Sequence, residues 1–104
     1  MEFSITVSNA IKIADDVIWL DVREMAERQI CKLPYNDTHI PIGDIPIKYD
    51  ELDKDSHIIV YCHHGIRSAN VTSFLLSKGF KVVQNLRGGI DKWAIDIEPT
   101  MARY

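Results

Sequence analysis

Short apolar runs alternate along the chain with amphipathic stretches, a pattern that predicts strands alternating with helices. The clearest run is His57–Tyr61, and a second continuous run covers residues 17–20. Continuous apolar runs are typical of strands buried on both faces of a parallel sheet. Weaker strand signals lie at residues 5–7 and 81–83. We therefore predict an α/β fold, a mostly parallel sheet with helices on both faces.

The strongest helical signal covers residues 68–78, shortly after the strand at 57–61. Apolar positions and the stem of a lysine recur there at helical spacing: Val71, Phe74, Leu75 and Lys78. Gly79 follows directly, and a glycine at this position typically ends a helix. We expect this helix to cover one face of the sheet.

Three shorter stretches are also predicted to be helical: residues 9–13 with Ser8 as the N-cap, residues 24–30, and residues 88–93 opened by Gly88-Gly89. In the second of them, Ala26, Ile30 and Leu33 form an apolar side that we expect to pack on the core. Residues 34–46 contain three prolines and Gly43. That segment is predicted to be a loop with at most a short extended piece.

The chain has the size and composition of one globular domain, which we assign to residues 1–104. Of its residues 46% are apolar and 26% are charged, and the formal net charge is -3. The twelve Lys and Arg residues are scattered, so no nucleic-acid partner is predicted. No apolar run approaches the roughly 20 residues of a membrane span. Two cysteines are too few for a disulfide framework, and residues 1–4 lack a secretory pattern, so we expect a reduced cytoplasmic protein.

Cys62 is the candidate nucleophile because of its place in the predicted fold. It follows the strand at 57–61 and precedes the long helix, and open α/β sheets bind ligands at such strand ends. The amino-terminal end of a helix carries unpaired N–H groups and a partial positive charge, which favour a thiolate. Gly65 lets several N–H groups face one point, and Arg67 adds a full charge. The alternative, a buried structural cysteine, is disfavoured by these polar neighbours.

The spacing between Cys62 and Arg67 separates two classes of enzyme that use a loop of this kind. The phosphatase pattern is Cys-x5-Arg, whereas this chain has Cys-x4-Arg. The shorter loop leaves less room for a tetrahedral oxyanion, but enough for one sulfur atom bonded to Cys62. No aspartate is evident as a general acid for a leaving alkoxide. A phosphatase or an arsenate reductase is therefore the weaker alternative.

Several motifs occur together in an order that is far more specific than any one of them. They are Leu-Asp-Val-Arg-Glu at 20–24, Tyr-Cys-His-His-Gly-Ile-Arg-Ser at 61–68, Asn-Leu-Arg-Gly-Gly-Ile-Asp-Lys-Trp at 85–93, and a weaker His-Ile-Pro-Ile-Gly at 39–43. Through these segments the chain resembles the rhodanese-like family, in its single-domain form, over nearly its whole length.

This resemblance implies a five-stranded parallel sheet and a sulfur-transfer reaction. Cys62 would attack a sulfane sulfur donor such as thiosulfate, release sulfite and become a persulfide. The acceptor would be cyanide, a thiol or a sulfur-accepting protein. No metal or organic cofactor is implied. The residues expected to bind the substrate are those of the loop: His63, His64, Gly65, Ile66, Arg67 and Ser68. A second hypothesis is a persulfide relay or regulatory module that hands sulfur to a partner protein.

The remaining polar candidates each have two interpretations. Asp21 and Arg23 either touch the substrate or form an ion-pair network that supports the loops, and we favour the network. Arg67 is either an anion-binding group at the pocket or a surface residue, and we favour the first. His63 and His64 adjoin Cys62, but neighbouring side chains diverge and no second ligand pair exists, so we predict no metal site. We expect these histidines to form the rim of the pocket or to adjust its charge near neutral pH.

Three further residues are assigned mainly to packing. Cys31 is either a resolving cysteine for an oxidised Cys62 or a small apolar filler, and we favour the filler. Trp19 and Trp93 occupy apolar positions, and we expect both in the core.

Overall fold

The computed structural model describes all 104 residues and contains one five-stranded sheet in the order β1-β5-β4-β2-β3. All neighbouring strands are parallel. The strands are β1 Ser4–Ile5, β2 Ile18–Asp21, β3 Asp37–His39, β4 His57–Tyr61 and β5 Val82–Leu86. The predicted α/β fold with a five-stranded parallel sheet is confirmed.

The connections between the strands are helical. The α-helices are α1 Val7–Ala10, α2 Met25–Ile30, α3 Ile45–Lys48, α4 Ile66–Ser77 and α5 Gly89–Asp96. Short 3-10 segments lie at Ile11–Asp16, Ile42–Asp44 and Tyr49–Glu51. None of the helices combines the length and the hydrophobicity that crossing a lipid bilayer requires.

Side chains alternate across the sheet and build one apolar cluster on each face. Along β4 and into the next residue, Ile58, Val60 and Cys62 belong to the cluster that includes Val71 and Leu75 of α4. The intervening strand residues belong to the other cluster, together with both tryptophans, each of which is 1% exposed: Ile59, Tyr61, Trp19 and Trp93. The core placement predicted for the tryptophans is confirmed, and alternation directs the Cys62 side chain toward α4.

The amino-terminal boundaries differ from the prediction. The first strand ends at Ile5, because the hydroxyl of Thr6 accepts a hydrogen bond from the Asn9 amide at 3.2 Å and caps α1. Ser8, the predicted cap, lies inside the helix. A hydroxyl two residues earlier competes equally well for this role, and sequence pattern does not separate the two.

The apolar side predicted for α2 is wrong except at Leu33, which is fully buried. Ile30 is 46% exposed, Ala26 is exposed, and no residue of α2 itself is buried. Polar contacts attach the helix instead, among them the ion pair between Arg28 and Asp37 at 2.7 Å. Charged side chains therefore hold a helix for which an apolar side was expected.

Other boundaries move for identifiable reasons. The helix predicted from residue 68 begins at Ile66, directly after the loop glycine, and Gly79 with φ +89° ends it as predicted. β5 extends to Leu86 because it pairs with strands on both sides, and α5 continues to Asp96. The predicted loop contains the expected extended piece, β3, and also α3, whose first turn accommodates Pro46.

Candidate active site

The sulfur of Cys62 accepts hydrogen bonds from the backbone at the start of α4. The Gly65 amide lies 3.1 Å from Sγ and the Ser68 amide lies 3.4 Å from it. Both donors belong to the set of amides that a helix leaves unpaired at its amino-terminal end. The sulfur thus occupies the position of a capping group, where negative charge is stabilised by the N–H groups and by the helix dipole.

Gly65 makes this arrangement possible through its backbone conformation. Its φ is +104°, which residues with a Cβ rarely adopt, and it stands immediately before α4. A Cβ there would also lie 3.4 Å from the Gly88 amide nitrogen and from the Leu86 carbonyl oxygen. The glycine therefore turns the loop so that its own N–H points back at Cys62.

A hydroxyl and an amide side chain complete the inner side of the loop. Ser68 Oγ lies 3.2 Å from the Cys62 sulfur and donates to Asn85 Oδ1 at 2.5 Å. Asn85 Nδ2 in turn donates to the Gly65 carbonyl at 3.1 Å. Because Ser68 has one proton, it donates either to Asn85 or to a Cys62 thiolate. In the contact with Ser68, a Cys62 thiol can donate its own proton to the hydroxyl oxygen.

The outer side of the loop rests on the start of α5. The Ile90 amide donates to the Cys62 carbonyl at 2.9 Å, and the Asp91 amide donates to the His63 carbonyl at 3.1 Å. Gly89 permits this approach, since a Cβ there would lie 2.3 Å from the His63 carbonyl oxygen and 2.6 Å from that of Cys62. The Gly-Gly pair thus fixes the carbonyls of the loop while α4 binds its sulfur.

Arg67 is paired with a carboxylate from α2. Its guanidinium donates to the two oxygens of Glu27 at 2.7 and 2.8 Å. This bidentate contact lowers the pKa of Glu27 to about 2 and raises the pKa of Arg67 above its ordinary value. The positive charge expected to serve the loop is therefore compensated at its rim by Glu27.

Tyr104 lies against the same rim. Its ring stacks on His63 with the centroids 3.8 Å apart and the planes at 11°. Its hydroxyl donates to Glu27 at 2.7 Å and accepts from Arg23 at 3.0 Å. Burial, followed by the neighbouring carboxylate of Glu27, raises the pKa of Tyr104 to about 12. The hydroxyl accordingly stays protonated across the neutral range.

The two loop histidines lie close together with their rings tilted by 34°, and they are not arranged as metal ligands. The His63 and His64 rings lie 3.8 Å apart. Burial, with a smaller contribution from His64, lowers the pKa of His63, so this ring is neutral near pH 7. No three His, Cys, Asp or Glu side chains come together as a metal-binding group. His64 and Ile66 are the exposed residues of the loop, and Ile66 is 75% exposed.

Asp21 and Arg23 form a fully buried ion pair at 2.9 Å. Arg23 also donates to the Cys31 carbonyl at 2.9 Å, and Arg28 joins Asp21 at 2.9 Å. Desolvation opposes charge on Arg23, but these partners raise its pKa above the ordinary value. These contacts correspond to the network interpretation of the pair rather than to a group that meets substrate directly.

Cys31 and Cys62 are both free and lie on opposite faces of the sheet. Cys31 packs against the cluster that contains Trp19, whereas Cys62 belongs to the other cluster. Burial raises the pKa of the Cys31 thiol. This placement corresponds to a filler and separates Cys31 from the candidate nucleophile.

Four residues of the site were absent from the sequence-based assignment: Glu27, Asn85, Gly89 and Tyr104. Two of them had a signal in the sequence, because Asn85 lies next to the end of β5, which pairs with β4, and Gly89 belongs to a Gly-Gly pair. The contacts of Glu27 and Tyr104 with the loop join residues far apart in the chain. No local pattern marks such partners.

Comparison with known proteins agrees with this architecture. The family model for the rhodanese-like domain matches residues 6–96. A sulfurtransferase of Allochromatium vinosum is 35% identical over 89 residues, covering 86% of this chain and 82% of the relative. The thiosulfate sulfurtransferase GlpE of Coxiella burnetii is 32% identical over 78 residues, covering 75% and 72%.

A solved structure shows the same likeness. The rhodanese-related protein of Thermoplasma volcanium superposes with a TM-score of 0.86 at 32% identity, covering 94% of this chain and 96% of that one. The match to the family model covers well over half of the chain. The protein belongs to the rhodanese-like domain family.

Proposed function

We propose that the protein is a sulfurtransferase that carries sulfane sulfur on Cys62, from a donor such as thiosulfate to a thiophilic acceptor. The observation that carries the proposal is the pair of hydrogen bonds from the Gly65 and Ser68 amides to the Cys62 sulfur. Such donors stabilise negative charge on a thiolate and on the persulfide anion that replaces it. The names of two relatives, a sulfurtransferase and a thiosulfate sulfurtransferase, support the same reaction class.

In the first step the Cys62 thiolate attacks the outer sulfur of thiosulfate. A sulfur–sulfur bond forms to Cys62, the sulfur–sulfur bond of thiosulfate breaks, and its electron pair leaves with sulfite. In the second step an acceptor such as cyanide or a thiolate attacks the outer sulfur of the persulfide. The electron pair of that bond returns to Cys62 as thiolate. Atoms and charge balance in both steps without a metal or organic cofactor.

The loop residues take different parts in this proposal. Gly65 and Ser68 supply the N–H groups, and the Ser68 hydroxyl turns from Asn85 to the sulfur when Cys62 is ionised. His63 and His64 form the rim that meets donor and acceptor, together with the exposed Ile66. Arg67 binds an anionic donor when its contact with Glu27 opens. Both cysteines are free, which suits a reducing cytoplasm.

A second candidate function is a persulfide relay to a partner protein. Ile66 favours it, because an apolar side chain that is 75% exposed beside the nucleophile offers a contact for a protein surface rather than for a small anion. The chemistry at Cys62 is the same in both cases. The two functions differ in whether a small acceptor is turned over rapidly.

The test is the intact mass of the purified protein after incubation with thiosulfate. We expect a gain of one sulfur atom in the natural sequence and in Cys31→Ser, and no gain in Cys62→Ser. Rapid thiocyanate formation on adding cyanide favours the enzyme, whereas a stable persulfide favours the relay. No sulfur gain from any sulfane donor would refute both. Hydrolysis of a phosphate monoester that depends on Cys62 would support the phosphatase alternative.

A further inference from the structure

We propose that Arg103 and Tyr104 form a side-chain latch that closes the loop of Cys62, and that this latch must open before a sulfur donor or acceptor can reach the sulfur. The inference rests on the proposed sulfur-transfer function and names a control on access to that site. Tyr104 contacts the loop directly, whereas Arg103 acts on it through Asp91.

Tyr104 is attached to both ends of the loop. Its ring covers the His63 ring, and its hydroxyl donates to Glu27, which holds Arg67 at the other end. Arg23 donates to the same hydroxyl from the protein interior. The His63 Nε2 atom is buried without a hydrogen-bond partner. The stacked Tyr104 ring therefore shields the face of the His63 ring from water.

Arg103 fixes the opposite side of the latch. Its guanidinium binds the two oxygens of Asp91 at 2.8 and 3.2 Å. The Asp91 amide in turn holds the His63 carbonyl, so this anchor lies on the wall of the loop. The latch therefore runs from α5 across His63 to Glu27 of α2.

Access to the sulfur is closed in this arrangement. Cys62 is 1% exposed. Five concavities lie on the protein surface, the largest of about 600 Å³, and neither Cys62 nor any of residues 63–68 lines one of them. A donor as small as thiosulfate still needs a path to the sulfur. Transfer accordingly requires movement at the rim.

The latch can open without unfolding any regular structure. Residues 102–104 are irregular and make no hydrogen bonds to other main-chain groups; the last such bond along the chain is donated by Met101 to the Glu98 carbonyl. Contacts that involve a side chain hold the segment, including the stack of Tyr104 on His63. Opening costs one ring stack, the two hydrogen bonds of the Tyr104 hydroxyl and one exposed ion pair, and it leaves the sheet and α4 intact.

The experiment measures the rate at which iodoacetamide alkylates Cys62 near neutral pH. All proteins carry Cys31→Ser, so that a single cysteine reacts. We expect Tyr104→Ala to react about tenfold faster than the parent, since a stack and hydrogen bonds of ordinary strength are lost. Tyr104→Phe, which keeps the ring but loses the hydroxyl, should react at a rate between those of the parent and Tyr104→Ala. Arg103→Ala should also accelerate the reaction, by a smaller factor.

Matched controls separate the latch from general loosening. Tyr49→Ala removes another aromatic contact, that with Phe74 on α4, and Lys81→Ala removes another exposed ion pair, that with Asp55. Neither should change the alkylation rate. Unchanged alkylation of Tyr104→Ala, or equal acceleration by Tyr49→Ala, would overturn the latch.

The sulfur-transfer proposal is tested separately on the same samples with thiosulfate. Faster alkylation of Tyr104→Ala without sulfur gain in any variant would keep the latch as a control on Cys62 access and reject the sulfur transfer. Sulfur gain together with equal alkylation rates in Tyr104→Ala and its parent would support sulfur transfer and reject the latch.

Discussion

Glu27 binds Arg67 through both carboxylate oxygens, at 2.7 and 2.8 Å, and so pairs with the arginine of the Cys62 loop. Arg67 contributes a positive charge to the loop, but Glu27 accepts hydrogen bonds from both of its terminal nitrogens. The rim therefore offers an incoming anion less attraction than the loop sequence alone suggests, until the contact between the two side chains opens.

Removing the Glu27 charge should make Cys62 more reactive toward anions. We expect Glu27→Gln to raise the ratio of the iodoacetate rate to the iodoacetamide rate several-fold, because Arg67 then carries an uncompensated charge. The ratio cancels any change in access that affects both reagents. Asp55→Asn, which neutralises the carboxylate of a distant ion pair with Lys81, is the control and should leave the ratio unchanged. A ratio equal to that of the natural sequence would show that Glu27 does not screen Arg67.

The same carboxylate should make stability depend on pH in the acid range. Its pKa is lowered from 4.5 to about 2 in the folded protein, so its contribution is complete above pH 4.5 and is lost as the pH falls toward 2. The side chain of Glu27 is 17% exposed and that of Arg67 is 33% exposed. After solvent screening, we expect the ion pair to contribute roughly 1–2 kcal/mol to the free energy of unfolding. Urea unfolding at several pH values should show Glu27→Gln less stable than the natural sequence by that amount at neutral pH, with the difference vanishing near pH 2. A difference independent of pH would assign the loss to packing.

Gly89 should be the least replaceable glycine of the chain. Gly89→Ala combines a positive φ of 64° with a Cβ 2.3 Å from the His63 carbonyl oxygen, so the loop backbone must shift. Gly79→Ala has a similar φ of 89° but no atom within 4 Å of the added carbon, and it measures the conformational cost alone. We expect the free energy of unfolding, measured with urea, to fall by about 1–2 kcal/mol in Gly79→Ala. In Gly89→Ala it should fall by roughly 3 kcal/mol or more. Equal losses of stability in the two variants would mean that the loop backbone shifts at this contact at little cost.

The Ser68 hydroxyl should support the ionised form of Cys62. We expect Ser68→Ala to slow alkylation by iodoacetamide several-fold near neutral pH, since a thiolate loses its one hydroxyl donor. Stability should also fall by roughly 1–2 kcal/mol because the buried Asn85 oxygen loses its donor. Thr72→Val removes a buried hydroxyl one turn further along α4, where it donates to the Ser68 carbonyl. That control should lose stability and keep its alkylation rate; a loss of rate in both variants would point to distortion of α4.

The fold and the centre of the site could be predicted because they follow from local rules. The apolar run at His57–Tyr61 has the length and continuity of a buried strand, and the period of 3.6 residues after it makes α4 amphipathic. A cysteine between these two elements then falls at the carboxyl end of a parallel strand. The number of strands, five, was instead what the resemblance to the rhodanese-like family implied.

Boundaries and the attachment of α2 could not be predicted with the same rules. The choice between Thr6 and Ser8 as a cap depends on a single hydrogen bond. The apolar residues Ala26 and Ile30 give α2 a plausible buried side, yet ion pairs hold this helix. Local hydrophobicity does not report whether a charged partner lies across the fold.

By itself, the sequence determined that Cys62 stands between a buried strand and a helix, with Gly65 to turn the loop, because strand and helix patterns arise from neighbours along the chain. Only the tertiary structure decided what surrounds that sulfur. Arg67 meets Glu27, which lies 40 residues away, and the Tyr104 hydroxyl meets the same carboxylate across 77 residues. Such partners are chosen when the sheet brings distant segments together, and a charged or aromatic side chain carries no local signal of which partner it will meet.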